Sequence, residues 1–466
     1  MTVFSVLIYS LIRLASFFTY HQPIANQIIA GIVIVSFGYF CFKNPKLAWI
    51  MLLGELILDG AGHFFELHSL LLRTWFLAIF ATTWLLSKLK TKQLIWPPAP
   101  ILISSLGLLF IVLLATFNGF YHEHNTTSIL QDLITYLFLG LVWPALEWGQ
   151  SVQKTVLNFL KAWIIGAAFF SLITYFIYAS GLGFLPDNYY HWFRNIASGK
   201  ITDLGNHFFR IVLPEQILII PIILIISAYL IRDPKNKTLW FLQLSSVLIL
   251  TLNFSRIYFL ALVIGFLILT IKQSFKRWLL ITTVTIFSTL IIFSTLNLVA
   301  SRGQTAGLEL VGLRFGKNAN PTTDVSGAIR LSILPDAIEQ IKSRPLWGSG
   351  LGATVTYLDP ATKIKVTRTQ FDWGYLEMLA ELGLIGTLVF LIFLISLIKQ
   401  TSQKAYFSKI NSPIHQGLLA GTAALIIINI TTPALFHGFG ILYFVIMITL
   451  ANDVSEQSPD APPGIV

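Results

Sequence analysis

Apolar runs of about 20 residues, the length a helix needs to cross a bilayer, follow one another from residue 3 to 299 and again from 374 to 451. They lie near 3–20, 25–42, 46–61, 70–87, 99–118, 128–147, 155–180, 210–231, 237–252, 255–272, 278–299, 374–398, 415–431 and 435–451. Charged residues are 11% of the chain, against about 25% in a soluble domain. A surface so short of charge has lipid as its solvent. The pattern predicts an all-α polytopic membrane protein with about 14 transmembrane helices.

The net charge of +10 does not point to nucleic acid, because lysine and arginine collect in the cytoplasmic loops of membrane proteins. With the N-terminus in the cytoplasm, the short loops on that side hold Lys43 and Lys46; Lys88, Lys90 and Lys92; Lys154; Arg232, Lys235 and Lys237; Lys272, Lys276 and Arg277; and Lys399, Lys404 and Lys409. The short loops on the other side, 21–26, 62–69, 118–127 and 431–433, hold neither lysine nor arginine. This asymmetry predicts an even number of spans with both termini cytoplasmic. The expected organisation is a membrane platform over 1–298, a large, partly helical periplasmic loop over 299–373, closing helices over 374–451 and a disordered cytoplasmic tail over 452–466. A second outer loop is expected over 181–209, and the first apolar run, which holds Arg13, is read as a retained span. The single cysteine, Cys41, excludes an intramolecular disulfide and a cysteine metal site.

Val299 to Tyr375 is the one long polar stretch, with Arg302, Arg314, Arg330, Arg344 and Arg368 among its cations. Arg210 stands where an outer loop enters a span, and Arg256 stands at the outer end of another. Arginine near a membrane is costly unless paired or hydrated, so both are candidates for function. The bland readings are snorkelling or an ion pair with Glu215. Two guanidinium forks on one leaflet suit a diphosphate. Tyr189 to Arg194, Trp347, Trp373 and Tyr375 are read as interface anchors or as platforms for sugar rings. His122 and His124, either side of Glu123, read as a solvated loop, since two histidines do not close a metal site. No metal motif and no phosphate-binding glycine loop with a following Lys-Ser/Thr is found. Asp372 stands before an apolar run in which Glu377 and Glu381 share a face at i, i+4. As a helix cap, Asp372 would turn to the backbone of the next turn.

Four pieces of this pattern, between Arg210 and Gly386, resemble the bacterial O-antigen ligase / O-antigen polymerase family. They are Arg210 at the opening of a span; Ser255-Arg256; Ser326 to Arg330 followed by Arg344-Pro345-Leu346-Trp347-Gly348-Ser349-Gly350-Leu351-Gly352; and Tyr375-Leu376 running on to Glu381-Leu382-Gly383-Leu384-Ile385-Gly386. Where ligases of that family carry His-Asn, this chain has Asp372-Trp373, which tilts the resemblance toward a polymerase.

The resemblance implies a multi-pass glycosyltransferase of the bacterial inner (plasma) membrane. It would polymerise or transfer glycan from undecaprenyl diphosphate to the hydroxyl of another lipid-linked glycan on the periplasmic face, without metal or cofactor and with inversion. The expected partners are the undecaprenyl-diphosphate-linked oligosaccharide, a glycan acceptor, membrane lipid and a chain-length regulator. Arg210 and Arg256 would stabilise the diphosphate leaving group and Asp372 would be the general base. Arg330, Arg314, Arg368, Trp347 and Tyr375 would bind substrate. The alternatives are a ligase passing the glycan to lipid A-core or another acceptor, a transporter of the same lipid-linked sugars, and an assembly scaffold.

Overall fold

A computed structural model of the chain describes residues 2–58, 63–68, 70–92, 94–179, 187–205, 208–271, 273–315, 325–360, 362–407 and 413–451. Three helices come first, α1 (Thr2–Thr19), α2 (Pro23–Lys43) and α3 (Pro45–Leu58). A short hairpin, β1 (Glu66–Leu67) and β2 (Leu70–Leu71), leads into α4 (Leu72–Thr91), α5 (Ala99–Tyr121), α6 (Thr126–Leu137) and α7 (Val142–Ala179). Next come α8 (Asp187–Asn195) and the hairpin of β3 (Lys200–Asp203) with β4 (Phe209–Val212). A 3-10 turn over Pro214–Leu218 then opens α9 (Ile219–Arg232), followed by α10 (Lys237–Asn253), α11 (Arg256–Leu269) and α12 (Phe275–Ala300). The polar stretch folds as α13 (Leu308–Phe315), α14 (Val325–Ser343) and the hairpin of β5 (Val355–Leu358) with β6 (Lys365–Arg368). The chain closes with α15 (Gly374–Ser402), α16 (Pro413–Ile428) and α17 (Gly438–Ala451).

Lipid explains which faces are apolar. α2 exposes Ile24, Ile28, Ile32, Val35 and Phe42, and α12 exposes Phe287, Leu290 and Ile291. Such stripes are not kept in water but cost nothing in hydrocarbon. α9 is the opposite case, buried nearly all round, with α10, α11, α12 and α16 packed on it. α16 approaches it closely because Gly417 lies on the Ile225 backbone and Gly421 on Pro221. Small residues at such crossings let helix backbones meet in a membrane.

Among the described residues, seven helical segments are long and apolar enough to cross a membrane. Four more apolar helices, Val6–Thr19, Arg256–Leu269, Pro413–Ile428 and Gly438–Thr449, are shorter. The protein is thus a multi-pass helical membrane protein, but the expected count of about fourteen, drawn from an apolar-run length of about 20, is not supported. Hydropathy scores a run of residues, whereas a span also needs helix length. Several of the apolar runs are 14–17-residue helices, such as α3, α10 and α11.

Two sequence readings are corrected here. Glu215 is not the partner of Arg210: it is fully buried and bonded at 2.6 Å to Nη2 of Arg13, which is 2% exposed. The Arg13 guanidinium also lies 4.6 Å from the Tyr9 ring, 5.1 Å from Phe64 and 4.7 Å from Phe170. Nor do the three buried aromatics of α8 anchor the interface or offer a platform, whereas Tyr190 stays 38% exposed. Tyr189, Trp192 and Phe193, at i, i+3 and i+4, form its inner face and are buried against Phe17 and Phe170. Their helical spacing, not their chemistry, decides their place.

The polar stretch has a core of its own. Ile333 and Ala337 of α14, Ala353, Val355 and Tyr357 around β5, and Phe371 pack with Ala380 of α15. This small unit is therefore fixed to the start of α15, and it is what delivers the polar side chains described next.

Candidate functional site

A glycine-rich loop sets the position of everything around α15. Gly383 interrupts that helix with φ 66° and ψ −174°. The interruption frees backbone groups, and the loop Pro345–Gly352 binds them. Leu384 N–H donates to Pro345 O at 2.9 Å and Ile385 N–H to Leu346 O at 3.1 Å; Ser349 N–H donates to Ala380 O at 2.7 Å and Gly350 N–H to Glu381 O at 3.1 Å. The other edge of the loop is held by the end of α5. Asn118 Nδ2 donates to Gly348 O at 2.7 Å, and the Nδ1 atoms of His122 and His124 bond Ser349 O and Leu351 O at 3.1 and 2.9 Å. The histidine pair read as solvated is thus a clamp.

The glycines are required by close backbone approach and positive φ. A Cβ at Gly383 would run into the Leu346 carbonyl oxygen, and one at Gly350 into the Gly119 backbone. Both residues sit in the left-handed region, at φ 66° and 93°. Gly383→Ala is expected to lower the thermal unfolding midpoint in detergent, with overpacking alone costing about 1–3 kcal/mol. Gly312→Ala, inside α13 where a Cβ meets open space, is the control and should not lower the midpoint, since alanine favours a helix interior over glycine.

A cluster of positive charge gathers beside the mouth of α15. Arg210 sits on β4 opposite Thr202 of β3, and its Nε donates to Asn253 O at 2.6 Å. Asn253 ends α10, Phe254 turns the chain at φ 45°, and Arg256 opens α11. One short turn therefore ties the two arginines together: Arg210 binds the carbonyl three residues before Arg256 and also bears electrostatically on Tyr258. The turn is itself held, since Asn253 Nδ2 donates to Gln216 Oε1 at 2.7 Å. Lys200 of β3 records the charge around it. Its pKa is lowered first by loss of solvent, then by the charges of Arg210 and Arg194, with Asp372 opposing and Arg330 adding. Arg194, Lys200, Arg210, Arg330 and Asp372 thus share one electrostatic neighbourhood. Arg330 is tied to the mouth of α15 by Trp373, whose indole Nε1 donates to its carbonyl at 3.0 Å.

At the mouth itself, Asp372 does not cap α15. It takes φ 55°, and its Oδ2 accepts from Nη2 of Arg368 at 2.6 Å, while the Arg368 guanidinium lies 5.1 Å from the Tyr357 ring. Trp373 is the N-cap residue and makes no side-chain cap bond. The orphan amide of Phe371 is satisfied instead by Oε2 of Glu377, at 2.9 Å. The other oxygen of Glu377 bonds Nε2 of His437 at 3.0 Å. Glu377 is 3% exposed and His437 33%. Behind them Glu381, also 3% exposed, interacts with Asp132 of α6, whose Oδ2 accepts from Gly352 N–H at 3.0 Å.

The remaining sequence candidates make other contacts. Tyr375 turns its hydroxyl to Ile426 O at 2.8 Å and braces α15 on α16. Trp347 lines an apolar groove of about 380 Å³ with Ile111, Phe117, Tyr121 and Leu382. Arg314 is on α13, and its side chain falls outside the described residues. Sequence reasoning missed Lys200, Asp132 and His437. Asp132 had a signal, as a lone carboxylate within an apolar run, which in a membrane marks function by default. His437 had none, because only the folded chain brings residue 437 to Glu377.

No curated protein matches the chain. Residues 241–391 match the family model described as O-Antigen ligase. That stretch contains the Ser255-Arg256 turn, α14, the glycine loop, Asp372 and the broken part of α15, while Arg210 lies before it. The match supports the O-antigen ligase/polymerase family for this protein.

Proposed function

We propose that the protein is a membrane glycosyltransferase. In this reading it transfers glycan from undecaprenyl diphosphate to a sugar hydroxyl of another lipid-linked glycan, on the periplasmic face of the bacterial inner membrane. The observation that carries the reading is the gathering of Arg194, Lys200, Arg210 and Arg330 beside Asp372 and the mouth of α15. As the glycosidic bond breaks, negative charge grows on the diphosphate, and fixed cations aimed at that charge lower the barrier. The Nε bond to Asn253 O fixes the plane of Arg210, so its fork is set before substrate arrives. The arginines supply this charge, so the reaction needs no metal. Direct displacement by the acceptor hydroxyl inverts the anomeric carbon, and the acceptor proton is taken at the mouth of α15. The apolar groove at Trp347 opens beside α5 and suits a lipid chain by its lining.

The family match leaves polymerase and ligase both open, and Asp372-Trp373 in place of His-Asn favours the polymerase. Protein purified in lipid nanodiscs should settle the acceptor when given a sugar-labelled undecaprenyl-diphosphate oligosaccharide. A ladder of longer lipid-linked glycans is expected with that substrate alone. Labelled product appearing only after lipid A-core is added would make the enzyme a ligase.

A further inference from the structure

The proposed reaction needs a base, and the structure offers a better one than the carboxylate the sequence singles out. A general base works best when its pKa lies near the operating pH. Asp372 is a carboxylate already bonded to Arg368 at 2.6 Å. His437, in the turn between α16 and α17, is a histidine held by a carboxylate whose every oxygen is engaged. Glu377 Oε2 accepts from Phe371 N–H at 2.9 Å and Oε1 bonds His437 Nε2 at 3.0 Å. A carboxylate at Nε2 keeps the proton on that nitrogen, which leaves the Nδ1 lone pair for a substrate. The ring is 33% exposed while Glu377 is 3% exposed, so one edge is open and the orienting group is shut away. The turn that carries His437 is fixed too: Asn429 Oδ1 accepts from Ala434 and Leu435 N–H at 2.8 and 3.0 Å.

We infer that His437, oriented by Glu377, is the catalytic base, and that Asp372 serves as the anchor of Arg368. This rests on the glycosyl-transfer reading above. The acceptor O–H proton passes to Nδ1 of His437 while the acceptor oxygen forms its bond to the anomeric carbon. The bond from that carbon to the diphosphate oxygen breaks, and its electron pair leaves with the diphosphate. The imidazolium is held against Glu377 until it loses the proton to water.

The groups facing the ring are Glu377 of α15 and Asp132 of α6, with Glu381 behind Asp132. Loss of solvent disfavours the charged ring, but the bond to Glu377 and the charges of Glu377 and Asp132 outweigh it, so the pKa of His437 is raised above its ordinary value. The base must be neutral to accept a proton. The rate therefore rises with pH through this raised pKa and levels off above it.

The test uses the full chain in nanodiscs with the labelled undecaprenyl-diphosphate oligosaccharide. His437→Gln is expected to lose about 10²–10⁴ in rate, the range for loss of a general base, while Asp372→Asn loses less than about tenfold, since an amide oxygen still accepts from Arg368. His437→Ala should regain rate on addition of imidazole. Glu377→Gln should move the rising limb of the pH profile to lower pH, because it removes the charge that stabilises the imidazolium; a structural defect would lower the plateau without moving the limb. Transfer by His437→Gln within about threefold of wild type, far below the loss expected when a base is removed, would overturn the assignment and leave the glycosyltransferase reading standing. No transfer by the wild-type protein would overturn that reading and this assignment together.

Discussion

Arg210→Ala is expected to slow glycan transfer by about 10²–10³, the loss that follows removal of one preorganised donor from a developing oxyanion. The residue is set on a hairpin strand and its Nε is bonded to Asn253 O at 2.6 Å, so its orientation does not have to be gained during the reaction. Two contributions are mixed in the alanine variant. The first is the charge aimed at the leaving group. The second is the bond that holds the turn before Arg256, and a hydrogen bond from a charged group contributes about 1.5–3 kcal/mol to stability. Arg210→Lys separates them. Lysine restores the charge but cannot reproduce a planar fork that grips both the carbonyl and the phosphate. Its initial rate should stay close to that of the alanine variant, while its unfolding midpoint recovers toward wild type. A lysine variant with near wild-type rate would show that only net charge matters there, and the argument from fixed geometry would fail.

The largest effect on stability is expected at Arg13. Arg13→Leu leaves Glu215 with no cation, at a position with no exposure. Breaking a buried pair from one side costs about 3–5 kcal/mol, because the remaining charge is uncompensated. The three aromatic rings around the guanidinium add to this loss, since cation–π contacts strengthen when desolvated. The double variant Arg13→Leu/Glu215→Leu should recover most of the loss, as replacing both members of a buried pair by apolar residues is often neutral. Thermal unfolding in detergent, followed by tryptophan fluorescence, reads both. If the single and double variants melt together, the pair is not a unit and α1 is held by its apolar packing alone.

The class of fold was written in the apolar runs, because their length and their shortage of charge admit few alternatives to lipid. The number of spans was not, because some apolar runs, such as α3 and α11, are helices of 14 residues, shorter than a crossing helix. Arg210 and Arg256 stood out in the sequence for a different reason, since charge beside a membrane is costly; Arg330 and Asp372, which lie in the polar stretch, stood out only through the family resemblance. Glu377 and Glu381 were visible on one helix face, but their partners were not. His437 and Asp132 lie 60 and 249 residues away in sequence from those glutamates. The glycine loop shows the limit most clearly. Gly348, Gly350 and Gly352 appear in the sequence only as a motif, yet each takes positive φ to bring the loop backbone against α5, α6 and the break in α15.

The central claim is that the basic cluster stabilises a departing diphosphate during glycosidic bond formation. It is tested most directly by counting products with the purified protein in nanodiscs: undecaprenyl diphosphate released and glycosidic bonds formed, from one doubly labelled lipid-linked oligosaccharide. The account predicts one carrier released for each bond formed, and a parallel fall of both counts in Arg210→Ala. Movement of intact lipid-linked glycan across the bilayer with neither product formed would contradict it.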